Sequence, residues 1–191
     1  MVEDVVIRTA QSNDAESLAR IYQYYVEHTA ITFEYEAPNA AEMNVRREKI
    51  LAHYPYFVAE KDGRVLGYAY AHEFYGRAAY GWSVESSIYV DKNARRLGIG
   101  RRLYDAMESA LRKMGILNIN ACIAMPRTND DPYLTNGSVA FHKRLGYAMV
   151  GTFHQSGYKF GRWYDVAWME KMLGEHPDKP EPVKDFSEAL I

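Results

Sequence analysis

The densest chemistry in the chain is Arg95-Arg96-Leu97-Gly98-Ile99-Gly100-Arg101-Arg102, where arginines bracket two glycines. Glycine lets a ligand approach the backbone, and the first N–H groups of a helix have no partner within it. A loop of this kind feeding a helix suits a phosphate or pyrophosphate. Arginine in a first helical turn opposes the positive end of the helix dipole, at about 0.3–1 kcal/mol for an exposed charge, so Arg101 and Arg102 make better sense beside an anion. A solvated basic turn is the plain alternative. Two familiar phosphate motifs are excluded: no Gly-Lys-Ser/Thr follows, and Leu103 stands where a dinucleotide fingerprint needs its third glycine. Two titratable groups stand apart from the arginines. Glu85 lies in a strand-like run, where a glutamate is ordinarily exposed or ion-paired but could accept a proton. His142 could give or take a proton near neutral pH, or simply cap or pack within a short helix.

These groups need a scaffold, and hydropathy spacing supplies one. Val5 to Arg8 reads as a strand, followed by a helix carrying Leu18, Ile21, Tyr22, Tyr25 and Val26, then a loop ending at Pro38 and a second helix over 41–51. Asp62-Gly63 predicts a hairpin between strands at 57–59 and 65–71. Ser83 to Val90 alternates as a strand, and Ile99, Leu103, Met107, Leu111 and Met114 recur at helical spacing beyond the arginine turn. A strand at 118–124, a short helix at 138–145 ended by Gly146, and strands at 148–153 and 164–172 complete the order βαα, three strands, then αβαββ. From Gly174 the prolines 177, 180 and 182 among charges predict an extended, unpacked tail, so the expected organisation is one domain over 1–173 and a tail over 174–191.

Composition narrows the function classes. The chain has 191 residues, 48% of them hydrophobic and 25% charged, enough for one core without disulfide or structural metal. A net charge of −2 offers no global attraction for nucleic acid or an anionic membrane, and the 16 tyrosines are spread along the chain and not interleaved with a basic stripe. A single cysteine, Cys122, makes no intramolecular disulfide, the six histidines lack zinc-ligand spacing, and no metal is expected. With no basic leader and no 18-residue apolar run, the expected compartment is the cytoplasm.

Arg95-x-x-Gly98-x-Gly100 resembles the pyrophosphate loop of the GNAT superfamily of acetyl-CoA-dependent N-acetyltransferases. TFEYEAP at 32–38, YPYFVAEKDGRVLGYAYA at 54–71, AYGWSVESSIYV at 79–90, FHKRLGY at 141–147 and GYKFGRWYDV at 157–166 are similar to the phosphinothricin acetyltransferase and methionine sulfoximine (sulfone) acetyltransferase branch. The resemblance spans roughly residues 5–172 and implies an α/β (α+β) fold: a mixed, mostly antiparallel sheet, splayed between its fourth and fifth strands and flanked by helices. It implies acetyl-CoA as cosubstrate, lying in that wedge. The backbone of Ile88, Tyr89 and Val90 would pair with the pantetheine as an added strand, and amides over Arg96, Leu97, Gly98, Ile99, Gly100 and Arg101, beside Arg95, would hold the pyrophosphate. Glu85 falls where the family carries an acid proposed to receive the amine proton. His142 falls where many members carry a tyrosine proposed to protonate the thiolate. The family's Asn-x-x-Ser is displaced here to Asn136-Gly137-Ser138, and the segment 127–134 is longer than in relatives, so Asn136, Ser138 and Asn129 are the candidate coenzyme contacts.

The same resemblance places Phe33, Glu34, Arg77 and Tyr80 around the acceptor, with Arg77 able to grip a carboxylate or phosphinate through paired hydrogen bonds, or to stand in water as a loop arginine. Glu34 is acidic where some relatives carry arginine. The expected reaction is direct acetyl transfer to the amine of a small amino-acid-like acceptor of the phosphinothricin, methionine sulfoximine or methionine sulfone type. Alternatives are an acetyltransferase of protein N-termini or polyamines, or a non-catalytic acyl-CoA sensor. The expected partners are this small amine and a second copy in a homodimer, with neither nucleic acid nor membrane.

Overall fold

A computed structural model describes residues 4–189. Asp14 sets where the first strand gives way to the first helix: its carboxylate takes two 2.7 Å bonds from the Arg8 guanidinium and another from the Gln11 N–H. Strand β1 (Val6–Thr9) thus hands over to α1 (Ala15–His28), one residue later than the spacing suggested. Asn39 caps α2 (Ala40–Leu51), accepting from Glu42 N–H at 2.9 Å. Asp62 and Gly63, with φ of 51° and 75°, make the tight turn between β2 (Tyr56–Lys61) and β3 (Arg64–Glu73). There follow β4 (Ser83–Val90), α3 (Ile99–Met114), β5 (Asn118–Met125), α4 (Gly137–Arg144), β6 (Ala148–Lys159), β7 (Arg162–Met172) and a terminal turn, α5 (Phe186–Ala189).

The strands form one seven-stranded sheet in the order β1-β2-β3-β4-β5-β7-β6, antiparallel except for β4–β5. That parallel ladder runs only from Ser83↔Asn118 to Glu85↔Asn120, after which the strands part. The expected mixed sheet, split between its fourth and fifth strands, is therefore what the chain forms. Alternation gives each sheet face its own core: Val84, Ile119 and Ile123 meet the apolar stripe of α3, while Tyr56, Val58 and Tyr68 meet α1 and α2.

Two sequence expectations need correction. Strands β6 and β7 run through 154–163 instead of stopping at 153 and resuming at 164, because Phe160 and Gly161, both at positive φ, close a tight hairpin, and a register irregularity near Gln155 absorbs the polar stretch. The tail is irregular from 174 to 185 but is not unpacked. Trp82 Nε1 donates to Glu181 O, Lys184 N–H to Met114 O and Phe186 N–H to His53 O, and Phe186, 3% exposed, meets Phe57 edge to face at 5.7 Å. Val183, Phe186 and Ala189, spaced by three, supply the apolar anchors that proline and charge obscure in composition.

Candidate active site

The arginine loop begins with a clamp. Asp91, just past β4, accepts from Arg20 at 2.8 Å, from Arg64 at 2.9 Å and from the Asn93 N–H at 3.0 Å. Burial pushes its carboxyl up, but the Arg20, Asn93 and Arg64 hydrogen bonds outweigh that and hold it at about 2. Beyond it, Arg96 (φ 65°) and Gly98 (φ 74°) turn the backbone left-handed into α3, which begins with no side-chain cap and no acid in its first turn. A Cβ on Gly100 would meet the Phe141 ring at 3.0 Å, so glycine there lets α3 close on α4. These elements enclose a cavity of about 630 Å³, lined by Ile88, Val90, Arg95, Arg96, Gly98, Ile99, Gly100, Arg101 and Ser138 among the expected coenzyme residues. Arg95 stacks over Tyr25 at 5.2 Å, and Arg101 Nη2 donates to Arg144 O at 3.3 Å. Leu97, 48% exposed, lies outside the lining, as do the exposed Asn129 and Asn136; Thr135 and Gly137 occupy the wall where those asparagines were expected.

The parting of β4 from β5 leaves a narrow cleft lined by Ser86, Ile88, Tyr89, Tyr104, Ser138 and His142. Asp91 N–H bonds Leu66 O on the β3 side, so alternation turns Val90 and Ile88 toward the gap. There Tyr25 already serves Val90: its hydroxyl donates to Val90 O at 2.6 Å and accepts from Val90 N–H at 3.2 Å. Ile88 keeps its gap-facing backbone groups open, whereas Tyr89 directs its own toward β3 and its ring into the α1–α2 core.

His142, 3% exposed, has Nδ1 at 2.8 Å from Ser138 O and Nε2 at 2.8 Å from the Tyr104 hydroxyl. The carbonyl requires a proton on Nδ1, so Nε2 accepts from Tyr104. Burial lowers the imidazole pKa against the opposing Ser138 bond, which keeps the ring neutral. Tyr104, 0% exposed, is also 3.2 Å from Ser86 Oγ, which donates to Asn120 O at 3.0 Å. Sequence reading missed Tyr104; the available signal was its position four residues after Gly100, on the same helical face.

Glu85 stands at the last paired position of β4 and β5, on the sheet face opposite α3. It is half-buried and has no ion pair among the described residues. Burial raises its carboxyl pKa, while His72, its register partner on β3, pulls the other way. Cys122 shares this face: burial, with the nearby Glu85 charge adding to it, pushes the thiol up to about 11.

The expected acceptor residues do not gather at one point. Phe33 packs against Tyr164 and so closely over Gly157 that a Cβ there would enter its ring. Glu34 takes 2.7 and 3.1 Å bonds from Arg46 and one from the Tyr22 hydroxyl; burial raises its pKa, and those bonds bring it below the usual range. Arg77 is exposed on the β3–β4 loop and lines none of these cavities. Tyr80 lines an open aromatic hollow of about 500 Å³ with Phe74 and Trp168.

Comparison with known proteins matches residues 7–168 to the acetyltransferase (GNAT) domain. A phosphinothricin N-acetyltransferase of Streptomyces viridochromogenes is 35% identical over 96% of both chains. An L-methionine sulfoximine/L-methionine sulfone acetyltransferase of Salmonella typhimurium is 29% identical over 90% of this chain and 96% of its own. Among solved structures, a GNAT phosphinothricin acetyltransferase from Sinorhizobium meliloti in complex with AcCoA superposes with a TM-score of 0.82 at 33% identity, covering 96% of this chain and 98% of that one. With the split sheet, the capless α3 and most of the chain matched, the protein belongs to the GNAT acetyltransferases.

Proposed function

We propose that the chain transfers the acetyl group of acetyl-CoA to the amine of a small amino-acid-like acceptor, in the substrate class of its phosphinothricin and methionine sulfoximine relatives. The observation that carries the mechanism is the half-buried Glu85 carboxyl, without an ion pair among the described residues and poised where β4 and β5 part, with the Tyr104–His142 pair lining the cleft beyond. The cavity fits the cosubstrate: a capless helix start and flanking arginines suit a pyrophosphate, and open backbone at Ile88 suits the amides of an extended pantetheine. When bound, acetyl-CoA supplies an activated acyl group as a thioester.

Glu85 takes a proton from the acceptor ammonium, directly or through water, and its raised pKa brings it nearer to that task. The freed amine forms the new C–N bond, a gap-facing N–H of β4 donates to the developing oxyanion, and the C–S bond then breaks. His142, neutral and without a proton on Nε2, is not the direct acid from that nitrogen; it orients the Tyr104 hydroxyl, which turns its proton to the thiolate and regains one through water from the second proton shed by the acylated nitrogen. Glu34 acts on the acceptor side by holding Arg46 in place.

A second copy and a cytoplasmic setting complete the proposal. Met149, Val150, Phe153, Tyr158 and Trp163 expose apolar surface along β6 and β7, which supports a homodimer through those strands. Among the described residues no helix is long and apolar enough to cross a membrane, and dependence on acetyl-CoA favours the cytoplasm. The test is thiol release with mass identification of product across phosphinothricin, methionine sulfoximine, methionine sulfone, common amino acids, polyamines and N-terminal peptides. N-acetylation confined to amino-acid-like amines is expected; acetyl-CoA binding without turnover of any would favour the sensor reading.

A further inference from the structure

Away from the coenzyme cleft, on the Glu85 face, α2 roofs a cavity of about 270 Å³ lined by Tyr22, Met43, Arg46, Ile50 and a ribbon of rings from Tyr56, Tyr68, Tyr70 and His72. Tyr56 and Tyr70 stack at 5.0 Å, and Tyr70 and His72 follow at 6.1 Å. The volume is that of a side chain and not of a whole cosubstrate. Two of its walls are unusual. Tyr56 and Tyr68 are each 1% exposed overall, neither hydroxyl bonds a protein group among the described residues, and neither is sealed off, so each stays open to the cavity. A phenol that faces a cavity without a protein partner meets water or a ligand group there. Burial holds both phenols firmly protonated, so each is a donor awaiting an acceptor oxygen. Lys49, at the rim, has no ion-pair partner among the described residues.

The cavity connects to the reaction centre through the sheet. His72 lines it and is the register partner of Glu85; Tyr70 pairs with Ser87 and Tyr56 with Tyr70. Tyr56 is thus two strands over and two residues along from Glu85, on the order of 12 Å between backbones. An extended amino acid and the Glu85 side chain together cover that span.

We propose that this cavity is the side-chain subsite of the acceptor, and that Tyr56 and Tyr68 select amino acids whose apolar stem ends in hydrogen-bond-accepting oxygens, such as a sulfone, sulfoximine or phosphinate. The proposal rests on the acetyl-transfer reading above. Methylene groups lie against the rings, the two phenols donate to the terminal oxygens, and Lys49 favours an anionic tip over a neutral one. A side chain of equal length without oxygens leaves both phenols unpaired and is discriminated against.

The test compares kcat/KM for L-methionine sulfone with that for L-methionine, near-isosteres differing in the two tip oxygens. The wild type should prefer the sulfone, and Tyr56→Phe and Tyr68→Phe should each reduce that preference roughly 3- to 10-fold, as expected for loss of one neutral hydrogen bond, with KM for acetyl-CoA unchanged. Met43→Trp, which fills the cavity while both tyrosines are retained, should raise KM for the sulfone. Calorimetric binding of N-acetyl-L-methionine sulfone to the same variants provides a readout that needs no turnover. Absence of acetyl transfer with product binding still weakened by Tyr56→Phe would sink the transferase reading and keep the subsite. Acetyl transfer whose sulfone preference is untouched by either phenylalanine, or shifted instead by Trp168→Ala in the open hollow, overturns the subsite, the phenols then holding water only.

Discussion

Glu85 is a carboxyl placed at a cost to the fold. Its pKa is raised by burial, with His72 only partly offsetting, so the ionised form is less favourable in the folded chain than in the unfolded one. Stability from this group is complete below the ordinary carboxylate pKa of about 4.3 and is lost as pH rises through the higher folded value. Glu85→Gln should therefore melt above the wild type at pH 8 and equal to it near pH 4, in paired thermal scans. Tyr104 works in the other direction, satisfying a buried acceptor. Tyr104→Phe leaves His142 Nε2 without its 2.8 Å donor, and should lower stability by about 1–3 kcal/mol in denaturant titration, with kcat reduced more than KM for acetyl-CoA. Glu85 and His142 were both legible in the sequence through the resemblance to relatives. Tyr104, Tyr25 and His72 were not: a tyrosine beside an apolar stripe or a histidine in a strand declares its partner only once α3, α4 and β3 are assembled.

The elements that matter are α3 and the parted pair β4 and β5. Hydropathy spacing gives α3 because its stripe of Ile99, Leu103, Met107, Leu111 and Met114 repeats over the whole helix, all of it buried. It also gives β4, whose alternation is short but clean. The parting itself has no local signature, since it depends on where the β4–β5 ladder stops, and only the resemblance foretold it. At the start of α3 the left-handed Gly98 opens the backbone toward the cavity, and a Cβ there would meet no atom within 4 Å. Gly98→Trp should thus leave the fold in place apart from about 1–2 kcal/mol of backbone strain, while its ring occupies the cavity. Acetyl-CoA binding measured by calorimetry is expected to be lost with far-UV circular dichroism unchanged; retained affinity would detach this loop from the coenzyme. The acceptor side was less legible, because Phe33 and Glu34 look like pocket residues in a motif yet serve as packing against Gly157 and as an anchor for Arg46.

At the scale of the whole molecule, the sheet separates two cores that could be read from periodicity, and the tail joins them to a third contact that could not. Proline and charge dominate the composition of 174–191, yet Phe186 is 3% exposed against Phe57. Phe186→Ala should destabilise the protein by about 3 kcal/mol, read as a shift of the urea midpoint at constant slope. A neutral result would show the tail to be an ornament on a domain complete at residue 173. In the proposed reaction the two faces would divide the work: the arginine-lined cavity and the Tyr104–His142 pair lie with α3 and α4, Glu85 and the phenol-lined cavity with α1 and α2, and the split in the sheet is where they meet. The most direct test of that arrangement is the pH dependence of kcat for wild type and Glu85→Gln at saturating acetyl-CoA and acceptor. The wild type should show an ascending limb set by a group titrating above the ordinary carboxylate range, and the variant should lose that limb together with about 100-fold or more in kcat. A variant with wild-type turnover and an unchanged profile would contradict the assignment of Glu85 as the base.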